Sequence, residues 1–179
     1  MQVGNFTLDK RQVDAIKACR NEFKKGHKSV LLVAPTGCGK TVIAAGLADL
    51  LSKNGKKAGI IMSGRQLVFQ TLDTLVEAKV PATVLMADSV HQFDADATVA
   101  VISKETIEAR RKSSLKLQGW KPDIWIVDEA DVCISKQWQE LFDLAPLKIG
   151  LTATPCDGRG KGLGHLYDGM VEVGSYSQL

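Results

Sequence analysis

Short apolar runs alternate along the chain with stretches that carry apolar residues at helical spacing. Residues 29–34, rich in Val and Leu, end in a glycine loop and read as a buried strand. Residues 40–53 place Ile43, Leu47, Leu50 and Leu51 three to four positions apart, a helix that Asn54 and Gly55 stop. The same pattern predicts a strand over 58–62 and a helix over 65–78, with Leu67, Val68, Leu72, Leu75 and Val76 on its apolar side. A strand over 83–86 follows Pro81, and the polar, acidic residues 87–97 read as loop. Strands over 98–102, 124–127 and 148–151 continue the alternation, with helices over 104–111 and 136–144 and a basic, irregular stretch over 113–121.

Strands alternating with helices imply a mostly parallel central sheet with helices on both faces, a three-layer α/β domain. Ligands then gather at the carboxyl ends of the strands. Residues 1–156 read as this one domain. Residues 157–179, with glycines at 158, 160, 162, 164, 169 and 174, read as an exit segment that begins a linker.

Composition narrows the class. The chain has 179 residues, 45% of them hydrophobic, enough for one domain with a sizeable core. No apolar run approaches the ~20 residues that span a bilayer, so no membrane partner is expected. Met1 to Asn5 lack the basic patch and apolar stretch of a secretory signal. Cys19, Cys38, Cys133 and Cys156 lie far apart, without metal-ligand or disulfide spacing, and read as reduced thiols of a cytoplasmic protein. Cys38 sits inside the glycine loop, where it could be oxidised, but the favoured reading is an ordinary reduced thiol. The net charge of +3 is compatible with nucleic acid without demonstrating it.

The glycine loop carries the most specific chemistry. Ala34-Pro35-Thr36-Gly37-Cys38-Gly39-Lys40-Thr41 follows a strand and opens a helix. Glycines let backbone N–H groups point inward at phosphate oxygens, and the helix N-terminus adds its partial positive charge. Lys40 would bridge the β- and γ-phosphates of ATP, and the Thr41 hydroxyl would ligate Mg²⁺. Ala34 stands where the strict pattern has glycine; the Gly-Lys-Thr end is intact.

Ile124-Trp125-Ile126-Val127-Asp128-Glu129-Ala130-Asp131 is an apolar strand that ends in carboxylates. Asp128 is placed to hold Mg²⁺ and Glu129 to orient or deprotonate an attacking water. Two adjacent acids at a buried strand end repel one another unless a cation sits among them. Asp131 either links this site to a later threonine motif or caps the following segment.

The glycine loop, the Asp-Glu-Ala-Asp box and Gly150-Leu151-Thr152-Ala153-Thr154-Pro155 together resemble motifs I, II and III of superfamily-2 helicases, in their order and spacing. The resemblance implies a RecA-like fold and ATP hydrolysis with Mg²⁺. It extends over almost the whole chain. Leu8 to Gln12 resemble the upstream glutamine motif, so Gln12 is expected to read the adenine edge. Ser63-Gly64-Arg65-Gln66-Leu67 matches the position of motif Ia, which implies that Ser63 and Arg65 hold a nucleic-acid phosphate; Gln66 replaces the usual glutamate. Ser103 to Ile107 resemble motif Ib, which implies that Thr106 touches the same strand. Arg110, Arg111, Lys112, Lys116 and Lys121 would extend a phosphate track or form a solvated basic surface. Thr152 and Thr154, with Asp131, would couple the nucleotide site to strand separation.

The Gly-Leu-Thr-Ala-Thr-Pro form, with the tail from Asp157 to Asp168, looks more like DNA repair and phage DNA helicases than RNA helicases. DNA is therefore the favoured partner and RNA stays open, because the box letters point the other way. In the family a second RecA-like domain supplies arginine fingers worth about 10³–10⁵ in rate. Its motifs are not among these residues, so that domain is an expected partner in cis or in trans. A bacterial or phage-infected cytoplasm is the expected setting. The alternative reading is a module that binds ATP and nucleic acid without turnover.

Overall fold

The structure is a computed structural model that describes residues 2–3, 6–86, 93–109 and 120–174. A short antiparallel hairpin, β1 (Gln2–Val3) and β2 (Phe6–Thr7), leads into helix α1 (Lys10–Lys24). Asp9 starts that helix. Its carboxylate accepts from the Gln12 N–H at 2.9 Å while Gln12 Oε1 accepts from the Asp9 N–H at 3.0 Å. Such a reciprocal cap contributes about 1 kcal/mol.

The remaining elements alternate as the pattern predicts. They are β3 (Ser29–Val33), α2 (Lys40–Lys53), β4 (Ala58–Met62), α3 (Arg65–Glu77), β5 (Ala82–Leu85), β6 (Val99–Ser103) and α4 (Lys104–Ala109). After them come β7 (Ile124–Val127), α5 (Lys136–Phe142), β8 (Leu147–Thr152) and β9 (Gly169–Glu172). Seven strands form one sheet in the order β5-β6-β4-β7-β8-β3-β9, with every pair parallel.

Alternate side chains of each central strand serve opposite faces. Val30, Leu32, Ile60, Met62, Ile124, Ile126, Ile149 and Leu151 pack with α1, α2 and α3. Ile61, Ile102, Trp125 and Val127 face the other way, onto Ile107, Trp138, Leu141 and Phe142. The expected three-layer α/β fold is therefore the observed one. Helix α2 is buried from Ile43 to Asp49, where the sheet, α1 and α3 pack around it.

Several features depart from the sequence pattern: the β1–β2 pair is not in it, and Leu67 and Val76, expected on the apolar side of α3, are exposed. Helix α1 was expected only as a glutamine motif. The segment 157–179, expected to leave the domain, returns to it. A 3-10 turn at Leu163–His165 buries Leu163, and β9 then pairs with β3, Val171 opposite Leu32. Asp168 fastens this return, its Oδ2 accepting from the backbone N–H groups of Lys28 and Ser29 at 2.9 and 3.1 Å. Of the expected phosphate track, residues 110–112 and 116 lie outside the described residues, and Lys121 is exposed. No helix among the described residues is long and apolar enough to cross a membrane.

Candidate functional site

Every motif singled out in the sequence, apart from the glutamine motif, lies at or just after the carboxyl end of a strand, so the parallel sheet brings them to one edge. Strands β3, β8 and β7 are neighbours there. The glycine loop follows β3 and the acidic box follows β7, with β8 alone between them, so the two strand ends stand roughly 10 Å apart.

The loop of residues 34–41 is fixed at both ends. Ala34, wholly buried, donates its N–H to the Thr152 carbonyl at 2.9 Å, tying the loop to the end of β8. The Cys38 N–H donates to the Pro35 carbonyl at 3.2 Å. Gly37 and Gly39 adopt left-handed backbone angles, φ 86° and 74°, which a residue with a Cβ takes only at a cost. Pro35 and Gly39 are half-buried, Thr36 and Gly37 exposed, and Cys38 buried. Lys40 and Thr41 open α2 half-buried, and Lys40 Nζ donates to the Ala34 carbonyl at 3.2 Å. Helix α2 thus presents its N-terminus behind the loop, which favours an anion.

Gln12 belongs to this loop in an unexpected way. Its Nε2 donates to the Cys38 carbonyl at 3.3 Å while its Oε1 caps α1. The amide expected to read an adenine edge already ties α1 to the glycine loop, which leaves it one N–H and one lone pair for a further partner.

Asp128 is buried, and its Oδ1 has no hydrogen-bond partner among the described residues. Burial pushes its carboxyl above the usual range, and the Glu129 and Asp131 charges push the same way, against the Glu129 N–H and the Lys40 ammonium. A carboxylate in that position is one cation short of balance. The carboxylate oxygen of Asp128 is a ligand of the kind Mg²⁺ takes.

Glu129 adopts a left-handed backbone, φ 51°, rare for a side chain of its kind and worth about 1–3 kcal/mol of strain. Its carboxylate is exposed and accepts from the Ser63 hydroxyl at 2.6 Å. Asp131 accepts from the Thr152 hydroxyl at 2.7 Å, and that hydroxyl in turn accepts from the Thr154 N–H at 3.1 Å. Asp131, Thr152 and Thr154 therefore form one polar link between β7 and β8, as the motif pairing implies.

Beyond β7 the edge continues to β4 and β6. Arg65 is exposed at the start of α3, its guanidinium 5.6 Å from the Phe69 ring. Gly64, Arg65, Ser103, Glu105 and Thr106 line one cleft of about 410 Å³. Thr106 lines this cleft from a buried position, its hydroxyl 3.3 Å from Ser103 Oγ. The braces are Ser103 and Glu105, to which the motif resemblance assigns no role. Glu105 accepts from Ser103 Oγ at 2.7 Å and from the Gly64 N–H at 2.9 Å. Burial works to raise its carboxyl, but these bonds outweigh it and hold the group below the usual range. An acid two residues past a strand end, beside a candidate phosphate contact, was the available signal.

The comparisons with known proteins fit this geometry. The family described as "Type III restriction enzyme, res subunit" matches residues 5–157. IRC3 of Saccharomyces cerevisiae, whose name classes it with ATP-dependent helicases, is 28% identical over 155 residues, 82% of this chain and 22% of the yeast protein. Among solved structures, the UvsW helicase of bacteriophage T4 superposes with a TM-score of 0.68 at 20% identity, over 94% of this chain and 62% of that one. The Sulfolobus solfataricus SWI2/SNF2 ATPase core, solved in complex with double-stranded DNA, superposes with a TM-score of 0.64 at 16% identity, over 87% of this chain and 34% of that one. At these identities the two superpositions establish a shared fold. The chain spans about a fifth of the length of the yeast relative and under two thirds of UvsW.

Proposed function

The chain belongs to the type III restriction enzyme res-subunit family, and on that premise we propose that it is the first RecA-like motor domain of a superfamily-2 helicase or translocase that acts on DNA. The observation that carries the reading is the unpartnered, buried Oδ1 of Asp128, on the same sheet edge as Lys40 and within reach of its charge. A buried acid one cation short, facing a glycine loop at a helix N-terminus, fits a nucleotide with its divalent ion.

In this reading the backbone N–H groups of residues 36–41 cradle the phosphates of ATP and Lys40 neutralises the β- and γ-phosphates. Thr41 and Asp128 would hold Mg²⁺, which when bound offsets charge on the phosphoryl oxygens. Glu129 orders the attacking water. Ser63 and Arg65, at the entry to α3, take a phosphate of the strand. Thr152 and Thr154 report the state of the nucleotide site through Asp131. Efficient hydrolysis requires arginine fingers from a second RecA-like domain, supplied in cis or in trans.

ATP hydrolysis by the purified chain tests this, measured alone and with single-stranded DNA, duplex DNA and RNA. Slow hydrolysis, raised by DNA more than by RNA, is expected. Fast DNA-stimulated turnover by the 179 residues would contradict the need for a second domain, and stimulation by RNA alone would contradict the DNA assignment. Nucleic-acid affinity indifferent both to ATP and to Glu129→Gln would favour a binding module without turnover.

A further inference from the structure

Glu129 is hydrogen-bonded on the β4 side of β7, and the glycine loop follows β3 on the other side. Its carboxylate accepts from Ser63 Oγ at 2.6 Å, and Ser63 follows the end of β4. Strand β4 flanks β7 on one side; β8 and β3, with Thr152 and the glycine loop, lie on the other. The bond therefore draws the carboxylate away from Lys40, while the left-handed backbone of Glu129, φ 51°, sets the direction in which it leaves β7. The next donor in the same turn, the Gly64 N–H, is held by Glu105 at 2.9 Å. Two carboxylates thus occupy neighbouring donors at the entry to α3.

We propose that Ser63 is a positioning residue for Glu129: its hydroxyl parks the carboxylate beside β4, and a nucleic-acid phosphate that takes this hydroxyl releases Glu129 toward the nucleotide. The inference rests on the nucleotide and nucleic-acid reading above and adds the link between the two sites. A serine hydroxyl has one proton to donate, so a carboxylate and a phosphate exclude one another there. Their like charges sharpen the exclusion. Strand binding and release of Glu129 are then coupled, and by linkage the coupling runs both ways.

Two measurements on the full chain test it. The first is a double-mutant cycle of Ser63→Ala and Glu129→Gln on affinity for a single-stranded DNA oligonucleotide, at fixed salt and without nucleotide. Glu129→Gln is expected to tighten binding about tenfold when Ser63 is present, the size of a charged hydrogen bond, and to change it less than twofold in the Ser63→Ala background. Equal tightening in both backgrounds means only a general loss of negative charge and overturns the proposal. The second is DNA-free hydrolysis under single-turnover conditions, with the chain in excess over ATP. Ser63→Ala is expected to hydrolyse faster than the parent with a smaller stimulation by DNA, while Ser63→Thr, which restores a hydroxyl, behaves as the parent. A Ser63→Ala rate equal to or below the parent's, with unchanged stimulation, overturns the release of Glu129. Failure of the parent chain to bind Mg·ATP would instead remove the motor reading, and the DNA cycle, which uses no nucleotide, tells the two failures apart.

Discussion

The Thr152 hydroxyl donates to the Asp131 carboxylate at 2.7 Å, across the boundary between β8 and the turn that follows β7. Thr152 is buried, while Asp131 is half-buried. Thr152→Val keeps the shape and removes the donor. It is expected to cost about 1–3 kcal/mol of stability, to change ATP affinity by less than a few-fold, and to lower hydrolysis stimulated by nucleic acid. Thermal melting and stimulated hydrolysis read the two effects separately, and Thr152→Ser should restore both.

Gly39 sits at φ 74°, and a Cβ there would stand 2.6 Å from Gln12 Nε2. Gly39→Ala is therefore expected to strain the backbone by about 1–2 kcal/mol and to push Gln12 from the Cys38 carbonyl. The melting temperature and the affinity for nucleotide should fall together. Gln12→Ala, which loses the cap of α1 and the tie to the loop, should cost about 1 kcal/mol. A Gly39→Ala variant that binds nucleotide as the parent does would show that the loop tolerates a Cβ here.

Gly59 lies opposite Trp125 in the register of β4 and β7. A Cβ at Gly59 would fall 2.2 Å from Trp125 Cζ3. The indole is wholly buried and its Nε1 donates to the Leu141 carbonyl at 3.1 Å, so it cannot move aside freely. Gly59→Ala is expected to destabilise the chain by about 1–3 kcal/mol, read by denaturant unfolding.

Asp168 holds the return of the chain to the sheet, and the Lys28 and Ser29 N–H groups keep its carboxyl below its ordinary 3.8. A depressed carboxyl stabilises the fold at pH above 3.8, and that contribution disappears as the pH falls through the native value. Asp168→Asn should therefore melt at a lower temperature than the parent at pH 7, and the gap should close in acid. A gap that is the same at pH 7 and in acid would show that the charge of Asp168 is not what fastens β9.

The strands, the phosphate loop and the acidic box were legible because each departs sharply from its surroundings. Residues 58–62 and 124–127 are unbroken apolar runs, as expected of strands buried on both faces. Membership of the res-subunit family bears out the helicase resemblance read from the motifs. Strand β9 was not legible. It is short and lies at the sheet edge, with only Val171 buried, so its pattern cannot be told from a glycine-rich linker. Its place is set by β3 and Asp168, which are distant in sequence. Helix α1 carried a usable signal in the Asp9–Gln12 pair and the apolar spacing of Val13, Ile16, Cys19 and Phe23. The burial of Thr106 had none, since it depends on Ser103 and Glu105 meeting Gly64 from another strand.

Binding of a slowly hydrolysed ATP analogue, titrated with and without Mg²⁺ in the parent, Lys40→Ala and Asp128→Asn, tests the central claim that Lys40 and Asp128 serve one nucleotide. Mg²⁺ is expected to tighten binding in the parent, Asp128→Asn to abolish that gain, and Lys40→Ala to weaken binding by on the order of a hundredfold, the loss of charge-assisted bonds to phosphate. Parent-like affinity in Lys40→Ala, or the full Mg²⁺ gain in Asp128→Asn, would contradict it.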